Sequence, residues 1–444
     1  MKSRYPRHVN SIRCARGFTE RQADLESSCC DDSKDSALRI LAITNLYPNP
    51  WQPGRAPFNR QLFRALAKRR DLRVIAPIAW TDEVSARLKN ANGLPSSRQM
   101  ICDGIKVDHP RYLFPPKILR GSYGLCFLES VRRTFEQTMA EFRPDIIYGS
   151  WAYPDGWAAI ELGRRAGLPV VIRVHGSDIN LLDQHPDRKR GTCEALWSAD
   201  AVIAPSADLA KRVIGLGVIA ARTHVVINGV DAGLFHFGAR SEALGRLRLA
   251  SAPPIILFVG NLIPIKGVDT LINACGKLAA DKIAFSCYVV GQGPLKSHLD
   301  HQIRAAELID RVKLLGPKPH NQLPDWYRAA NVLVLPSHSE GMPNVLLEAA
   351  ACGTRFIASN VGGIPELVQG RNGRLVPPAD IEALAQAIKE ELASSDIPRS
   401  HASSQPRSFD DSAAEIERIL RGVVESHAEQ KVASSEAMLP IEST

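Results

Sequence analysis

The chain has 444 residues, 45% hydrophobic and 23% charged, with a net charge of +8. That length exceeds one ordinary core and predicts two domains, while the composition excludes fibrous and wholly disordered classes. No apolar run reaches the roughly 18 residues that span a bilayer, and the nine cysteines have no regular spacing that would mark a disulfide framework or metal set.

Residues 1–36 carry Arg4, Arg7, Arg13, Arg16 and Arg21 without an apolar core, so they read as a disordered arm rather than a secretory signal, and a cytoplasmic protein is expected. Residues 38–44 read as the first strand, and a loop rich in Pro and Asn follows, containing Gly54. Residues 57–70 place Phe58, Leu62, Phe63 and Leu66 at helical spacing beside Arg60, Arg64, Lys68, Arg69 and Arg70. One face of that helix must pack on a sheet. Its basic side reads equally as a wet surface or as a contact for anionic lipid at the inner face of a membrane. Further strands are predicted at 72–78, 145–150, 169–174, 201–206 and 223–227, with a helix at 155–166.

The alternation restarts after about 250, with strands near 255–259, 284–290, 311–315, 331–335 and 355–358. Strand–helix alternation of this kind predicts an α/β chain with two doubly wound parallel sheets, whose ligands bind beyond the strand C-termini. The expected domains are 37–235 and 236–400. Residues 394–410 read as irregular, 401–424 as a segment ending in a C-terminal helix from about 411, and 425–444 as a disordered tail.

The segment Glu340-Gly-Met-Pro-Asn-Val-Leu-Leu-Glu348 carries the most chemical information. A buried strand at 331–335 leads into a loop holding Glu340. Pro343 suits the first position of a helix, because its missing N–H would be unpaired there anyway. Glu348 then falls inside the helix. Loop and helix-start N–H groups can hold phosphate, and carboxylates accept from sugar hydroxyls. For an isolated pair of glutamates a solvated surface is the default. The neighbouring segments change that balance: Val174-His175-Gly176-Ser177-Asp178, Ile227-Asn228-Gly229-Val230-Asp231, Phe258-Val259-Gly260-Asn261-Leu262 with Lys266-Gly267, Val289-Val290-Gly291-Gln292-Gly293, and Val361-Gly362-Gly363-Ile364-Pro365-Glu366.

In this order and spacing the segments resemble glycosyltransferase family 4, retaining enzymes of GT-B fold, over roughly residues 38–395. The loops after the first strand resemble most the branch that builds cell-surface polysaccharides and exopolysaccharides. The resemblance implies two facing Rossmann-like domains with the active site in the cleft between them. The first domain would bind the acceptor and the second a nucleotide-diphosphate sugar. It implies that Lys266 binds the diphosphate, that Glu340 touches the donor sugar, that Glu348 accepts from the ribose, and that His175 orients the donor sugar with Asp178 shaping its loop. Donor contacts would further include Gly54, Asn261, Gly341, Met342, Pro343, Asn344 and Val345, of which Pro343 has no N–H to offer. It also implies a same-face displacement in which the leaving phosphate helps deprotonate the acceptor, since the sequence offers no evident enzymic nucleophile. In relatives the last helix packs back on the first domain.

Two positions depart from the family pattern. Asn261 stands where the family usually has Arg, and Arg355 where relatives often have Pro. A single Gly54 replaces a glycine pair, so binding loop and ordinary turn stay open, as do nucleotide loop and simple turn for Gly291-x-Gly293. No Asp-x-Asp occurs anywhere in the chain. The charge of a leaving diphosphate is therefore expected to be met by basic side chains and helix N-termini, with no metal and no cofactor beyond the donor. The expected partners are a nucleotide sugar and a saccharide or lipid-linked saccharide acceptor, with no nucleic acid. The alternatives are a nucleotide-sugar epimerase of the same architecture and a catalytically inactive scaffold. A dehydrogenase is disfavoured, because residues 45–54 contain no Gly-x-Gly-x-x-Gly.

Overall fold

Apolar runs too uniform for a half-exposed strand become the central strands of two sheets in the computed structural model, which describes residues 38–89, 96–368, 373–394 and 407–436. The predicted disordered arm lies outside the described residues. The first sheet comprises β1 (Arg39–Ile43), β2 (Asp71–Ile75), β4 (Gln99–Cys102), β5 (Ile105–Asp108), β7 (Ile146–Ser150), β8 (Val170–Arg173), β9 (Ala201–Ala204) and β10 (Thr223–Val225). Its order is β10-β9-β8-β7-β1-β2-β5-β4, parallel except for the antiparallel β4–β5 hairpin. A small two-stranded sheet pairs β3 (Ile78–Ala79) with β6 (Arg111–Tyr112). The second sheet holds β11 (Ile255–Val259), β12 (Ser286–Val290), β13 (Val312–Gly316), β14 (Val332–Leu335), β15 (Arg355–Ser359) and β16 (Gly373–Val376), in the order β13-β12-β11-β14-β15-β16, all parallel.

Strand order reverses between β1 and β7 in the first sheet and between β11 and β14 in the second. Crevices open beyond the strand C-termini at such points. Every residue of β7 and of β11 is buried, as strands covered on both faces require.

Several elements differ from expectation. The hairpin β4–β5 and the helix Tyr123–Phe142 fill a stretch in which no element was predicted. Pro343 is the N-cap of the helix Asn344–Ala351 rather than its first residue, with an extended ψ of 112°. The C-terminal helix begins at Phe409 and runs to Glu436, well into the span predicted to be a disordered tail. It packs on the first domain as the resemblance implied. Its Ala413, Ile416 and Leu420 are fully buried against Leu62, Phe63 and Leu66 of the helix Pro57–Ala67.

The same packing brings acidic side chains to several cations of that helix. Lys68 pairs with Asp410 at 3.1 Å and Arg70 with Glu417 at 2.7 Å; Arg69 also meets Glu417. Arg60 is held by Asp103 at 2.7 Å. Acidic side chains of this chain pair with these cations, and Arg64 is exposed.

Candidate functional site

The two reversal points face one another through glycine-lined loops. Gly176, at φ +123°, lies against Gly341, and a Cβ on Gly176 would sit 2.7 Å from the Gly341 Cα. A Cβ on Gly341 would in turn run into the His175 carbonyl, and one on Gly363 into the Gly341 carbonyl. Only glycine permits backbones this close. Asn180 Nδ2 donates to the Glu340 carbonyl at 3.1 Å and to Ser339 Oγ at 3.2 Å, and Asn228 Nδ2 donates to Asn344 Oδ1 at 2.8 Å. Glu366, from the second domain, accepts from the N–H groups of Ala207 and Asp208 at 2.9 Å each, at the start of the first-domain helix Ala207–Gly215. A carboxylate is favoured at that positive helix end.

On the second-domain side, Lys266 and Glu340 meet directly. Lys266 Nζ donates to Glu340 Oε1 at 2.6 Å, and Ser337 Oγ donates to the same oxygen at 2.7 Å. Their backbones are pinned together as well. His338 N donates to the Ile265 carbonyl at 2.8 Å, and Gly267, at φ +61°, leaves room for the Pro336 carbonyl that a Cβ would strike. The loops after β11 and β14 therefore form one unit at the reversal point. Gly291 and Gly293 have a similar packing reason: any Cβ there would collide with the carbonyls of Gly260 and Leu262. Asn261 is exposed beside them.

Glu348 lies on the buried face of the helix Asn344–Ala351. Its Oε2 accepts from Tyr327 Oη at 2.7 Å and its Oε1 contacts His320 Nε2 at 3.1 Å. Both oxygens are thus held, each with a lone-pair site to spare. Burial and the neighbouring Glu348 carboxylate keep the Tyr327 hydroxyl protonated, well above its ordinary range. Met342 is buried, while Asn344 and Val345 are half-buried at the helix start. There the first N–H groups lack partners within the helix.

On the first-domain side, His175 follows β8 and sits between two aromatic rings, Phe58 at 5.0 Å and Trp151 at 6.1 Å. Asp178 shapes its loop by accepting from the N–H of His175 at 3.0 Å, of Gly176 at 2.9 Å and of Ala152 at 3.2 Å. His175 Nε2 contacts Ser150 Oγ at 2.8 Å; Asn59 Nδ2 reaches Ser150 Oγ at 2.9 Å and the Leu46 carbonyl at 2.9 Å. Ser150 Oγ also donates to Asn59 Oδ1 at 3.2 Å, so Asn59, Ser150 and His175 form one polar network. Burial, aided by the nearby Arg173 charge, pushes the His175 pKa down to about 3, which keeps the ring neutral. Asp155 is fully buried beside the β1 loop, bonded to Asn45, and burial lifts its carboxyl to about 8. Gly54 stands apart: it is exposed in a turn where a Cβ would meet nothing within 4 Å.

The structure thus brings Lys266, Glu340, Gly341 and the His175 loop together. It sets Glu348 one helical stretch behind them and leaves Gly54 in an exposed turn without a contact to them. Sequence reasoning missed Asn59, Ser150, Ser337, Tyr327 and His320. Asn59 did leave a signal, because it occupies the apolar stripe with Leu62, Phe63 and Leu66. Arg355, unexplained by sequence, pairs with Glu391 at 2.5 Å and donates to the Ser394 carbonyl at 3.3 Å, tying β15 to the helix Ile381–Ala393.

Known proteins resemble this chain in sequence and in fold. Residues 58–234 match the family described as Glycosyltransferase Family 4, and residues 253–394 match Glycosyl transferases group 1. TuaC of Bacillus subtilis (strain 168), named as a teichuronic acid biosynthesis glycosyltransferase, is 31% identical over 365 residues, covering 79% of this chain and 88% of that protein. A D-inositol 3-phosphate glycosyltransferase of Streptosporangium roseum is 33% identical over 286 residues, covering 60% of this chain and 65% of that protein. Among solved structures, sucrose-phosphate synthase from Thermosynechococcus elongatus superposes with a TM-score of 0.66 at 22% identity, covering 90% of this chain and 99% of that one. Anabaena Alr3699/HepE in complex with UDP-glucose gives 0.63 at 21% identity, covering 89% and 100%. These likenesses establish the GT-B fold.

Proposed function

Since the chain belongs to glycosyltransferase family 4, and is a glycosyltransferase of GT-B fold, we propose that it moves a sugar, with retention, from a nucleotide-diphosphate donor to a saccharide acceptor, lipid-linked, in cell-surface polysaccharide assembly. The observation that carries the reading is the Lys266–Glu340 pair at the reversal point of the second sheet, set against the His175 loop of the first. A cation beside an acceptor suits a donor whose diphosphate gains negative charge while its sugar presents hydroxyls.

In this reading Lys266 turns from Glu340 to the diphosphate, and the N–H groups at the start of Asn344–Ala351 add to the neutralisation without a metal ion. Glu340, released, accepts from the donor sugar. Glu348, oriented by Tyr327 and His320, grips the ribose. The neutral ring of His175 presents Nδ1, the nitrogen not held by Ser150, to the sugar. The bond from anomeric carbon to phosphate oxygen breaks as the acceptor oxygen attacks on the same face, and the acceptor proton passes to the departing phosphate. The polysaccharide role draws on TuaC, and a nucleotide-sugar donor draws on the neighbours solved with UDP and UDP-glucose.

The test is thermal stabilisation by a panel of nucleotide sugars, followed by NMR of the product anomer with the stabilising donor. A donor that binds only the native state raises its melting temperature. Stabilisation by none of the UDP, GDP and ADP sugars, or an inverted anomer, overturns the proposal.

A further inference from the structure

A cavity of about 200 Å³ opens beyond the C-terminal ends of β1 and β2, and none of the groups assigned above to the donor lines it. Asn49 and Arg55, from the loop after β1, form one side. Asp82, in the first turn of the helix Trp80–Leu88, forms the other with Tyr112 and Phe114. Ligands of doubly wound sheets bind at this edge.

Three polar groups in the cavity keep bonding capacity that the fold does not use. Asn49 is buried, and its Oδ1 accepts from Trp51 N at 3.1 Å and Gln52 N at 3.0 Å, which leaves its Nδ2 to donate. Arg55 Nε donates to the Asn45 carbonyl at 2.9 Å and its Nη1 to Gln52 Oε1 at 2.7 Å; no described residue takes Nη2. Asp82 Oδ2 stands 3.5 Å from Arg55 Nη1, too far for a good hydrogen bond, and has no nearer partner among the described residues. Buried polar groups are ordinarily bonded, so donors and an acceptor left open around one cavity call for a ligand. The remaining wall is aromatic. The rings of Tyr112 and Phe114 lie 4.6 Å apart, and Trp80 Nε1 fixes Phe114 by donating to its carbonyl at 2.8 Å.

We infer that this cavity holds the second sugar of the acceptor, the ring behind the one that is attacked, so that the acceptor is at least a disaccharide whose second ring is uncharged. An aromatic wall facing two donors and a carboxylate suits the C–H face and the hydroxyls of a sugar ring. Arg55 and Asp82 offset one another, so a phosphate or uronate gains little there. Position sets which ring it is. His175 follows β8 and Asn45 follows β1, two strands away, about 10 Å at roughly 4.8 Å per strand. A ring attacked beside His175 therefore leaves the cavity to the next ring along. The loop after β7 ties the two places together: its Trp151 stacks on His175 at 6.1 Å, and its buried Asp155 accepts from Asn45 Nδ2 at 3.0 Å. The inference rests on the proposed function for the place of transfer.

The test titrates the full chain, in the presence of UDP, GDP or ADP, whichever binds, and reads saccharide binding by saturation-transfer NMR. The probes are methyl glucoside and methyl galactoside against maltose, cellobiose and lactose. At least one disaccharide should bind about tenfold or more tightly than either single ring. Asp82→Ala should remove that gain. Ala79→Phe, which fills the cavity without deleting a polar group, should remove it too. Both variants should fold and bind the diphosphate as the wild type does. A hyaluronan disaccharide, which carries a carboxylate, should bind no better than the neutral disaccharides. Equal affinity for one and two rings, wild-type disaccharide affinity in Ala79→Phe, or tightest binding by the hyaluronan disaccharide each overturns the inference and leaves the proposed function standing. Failure of every diphosphate to bind the wild type overturns both.

Discussion

Breaking the Lys266–Glu340 pair from either side should have opposite effects on diphosphate binding. In the free protein Lys266 Nζ lies 2.6 Å from Glu340 Oε1, and the side chains are only 22% and 8% exposed. Glu340 therefore competes with a diphosphate for the same ammonium. A charge-assisted hydrogen bond is worth roughly 1.5–3 kcal/mol. Lys266→Ala should thus weaken binding of UDP or GDP by about ten- to a hundredfold, at roughly 1.4 kcal/mol per tenfold. Glu340→Gln removes the competitor's charge while the amide oxygen can still accept from Ser337. Diphosphate binding should then hold or tighten by a few-fold, yet kcat should fall as contact with the donor sugar is lost. Calorimetric titration with the diphosphate reads the first effect and initial rates the second, with circular dichroism melts confirming that both variants fold. Unchanged diphosphate affinity in Lys266→Ala refutes the reasoning. Equal weakening by Glu340→Gln shows instead that Glu340 positions the lysine rather than competing for it.

Turnover should survive EDTA, and full loss restored by Mg²⁺ or Mn²⁺ would show a metal where Lys266 was assigned. Glu348→Gln should chiefly raise the donor KM, and Tyr327→Phe should do so more weakly, because Glu348 loses one orienting bond of about 1 kcal/mol; a kcat effect with unchanged KM counts against ribose recognition. His175 is neutral when folded, with its pKa near 3, whereas the unfolded chain takes up a proton near pH 6.5. Its contribution is therefore complete above pH 6.5 and shrinks as pH falls towards 3, by at most about 1.4 kcal/mol per unit. Urea melts between pH 7 and 4 should show this slope, and His175→Gln should reduce it; an identical slope in the variant rejects the buried neutral ring.

Much of the architecture is legible along the chain because parallel sheets bury both faces, so IILFV at β11 and VLVL at β14 announce themselves as strands whatever surrounds them. Glycines forced by close backbone approach, such as Gly176, Gly267 and Gly341, are equally local signals, and with Glu340 and Glu348 they mark the site before any coordinates. What the chain could not declare is which polar group meets which. Lys266 reaches Glu340 across 74 residues, His175 is set by Ser150 and Asn59, and Glu348 by Tyr327, because strand order places loops distant in sequence side by side. The basic helix at 57–70 shows the same limit: its cations are fixed in sequence, but the acids that neutralise Lys68, Arg69 and Arg70 arrive on the C-terminal helix some 340 residues later. Periodicity reports what a residue is and which way its element faces, since both depend on near neighbours. Partnership depends on topology, and only the tertiary structure decided it.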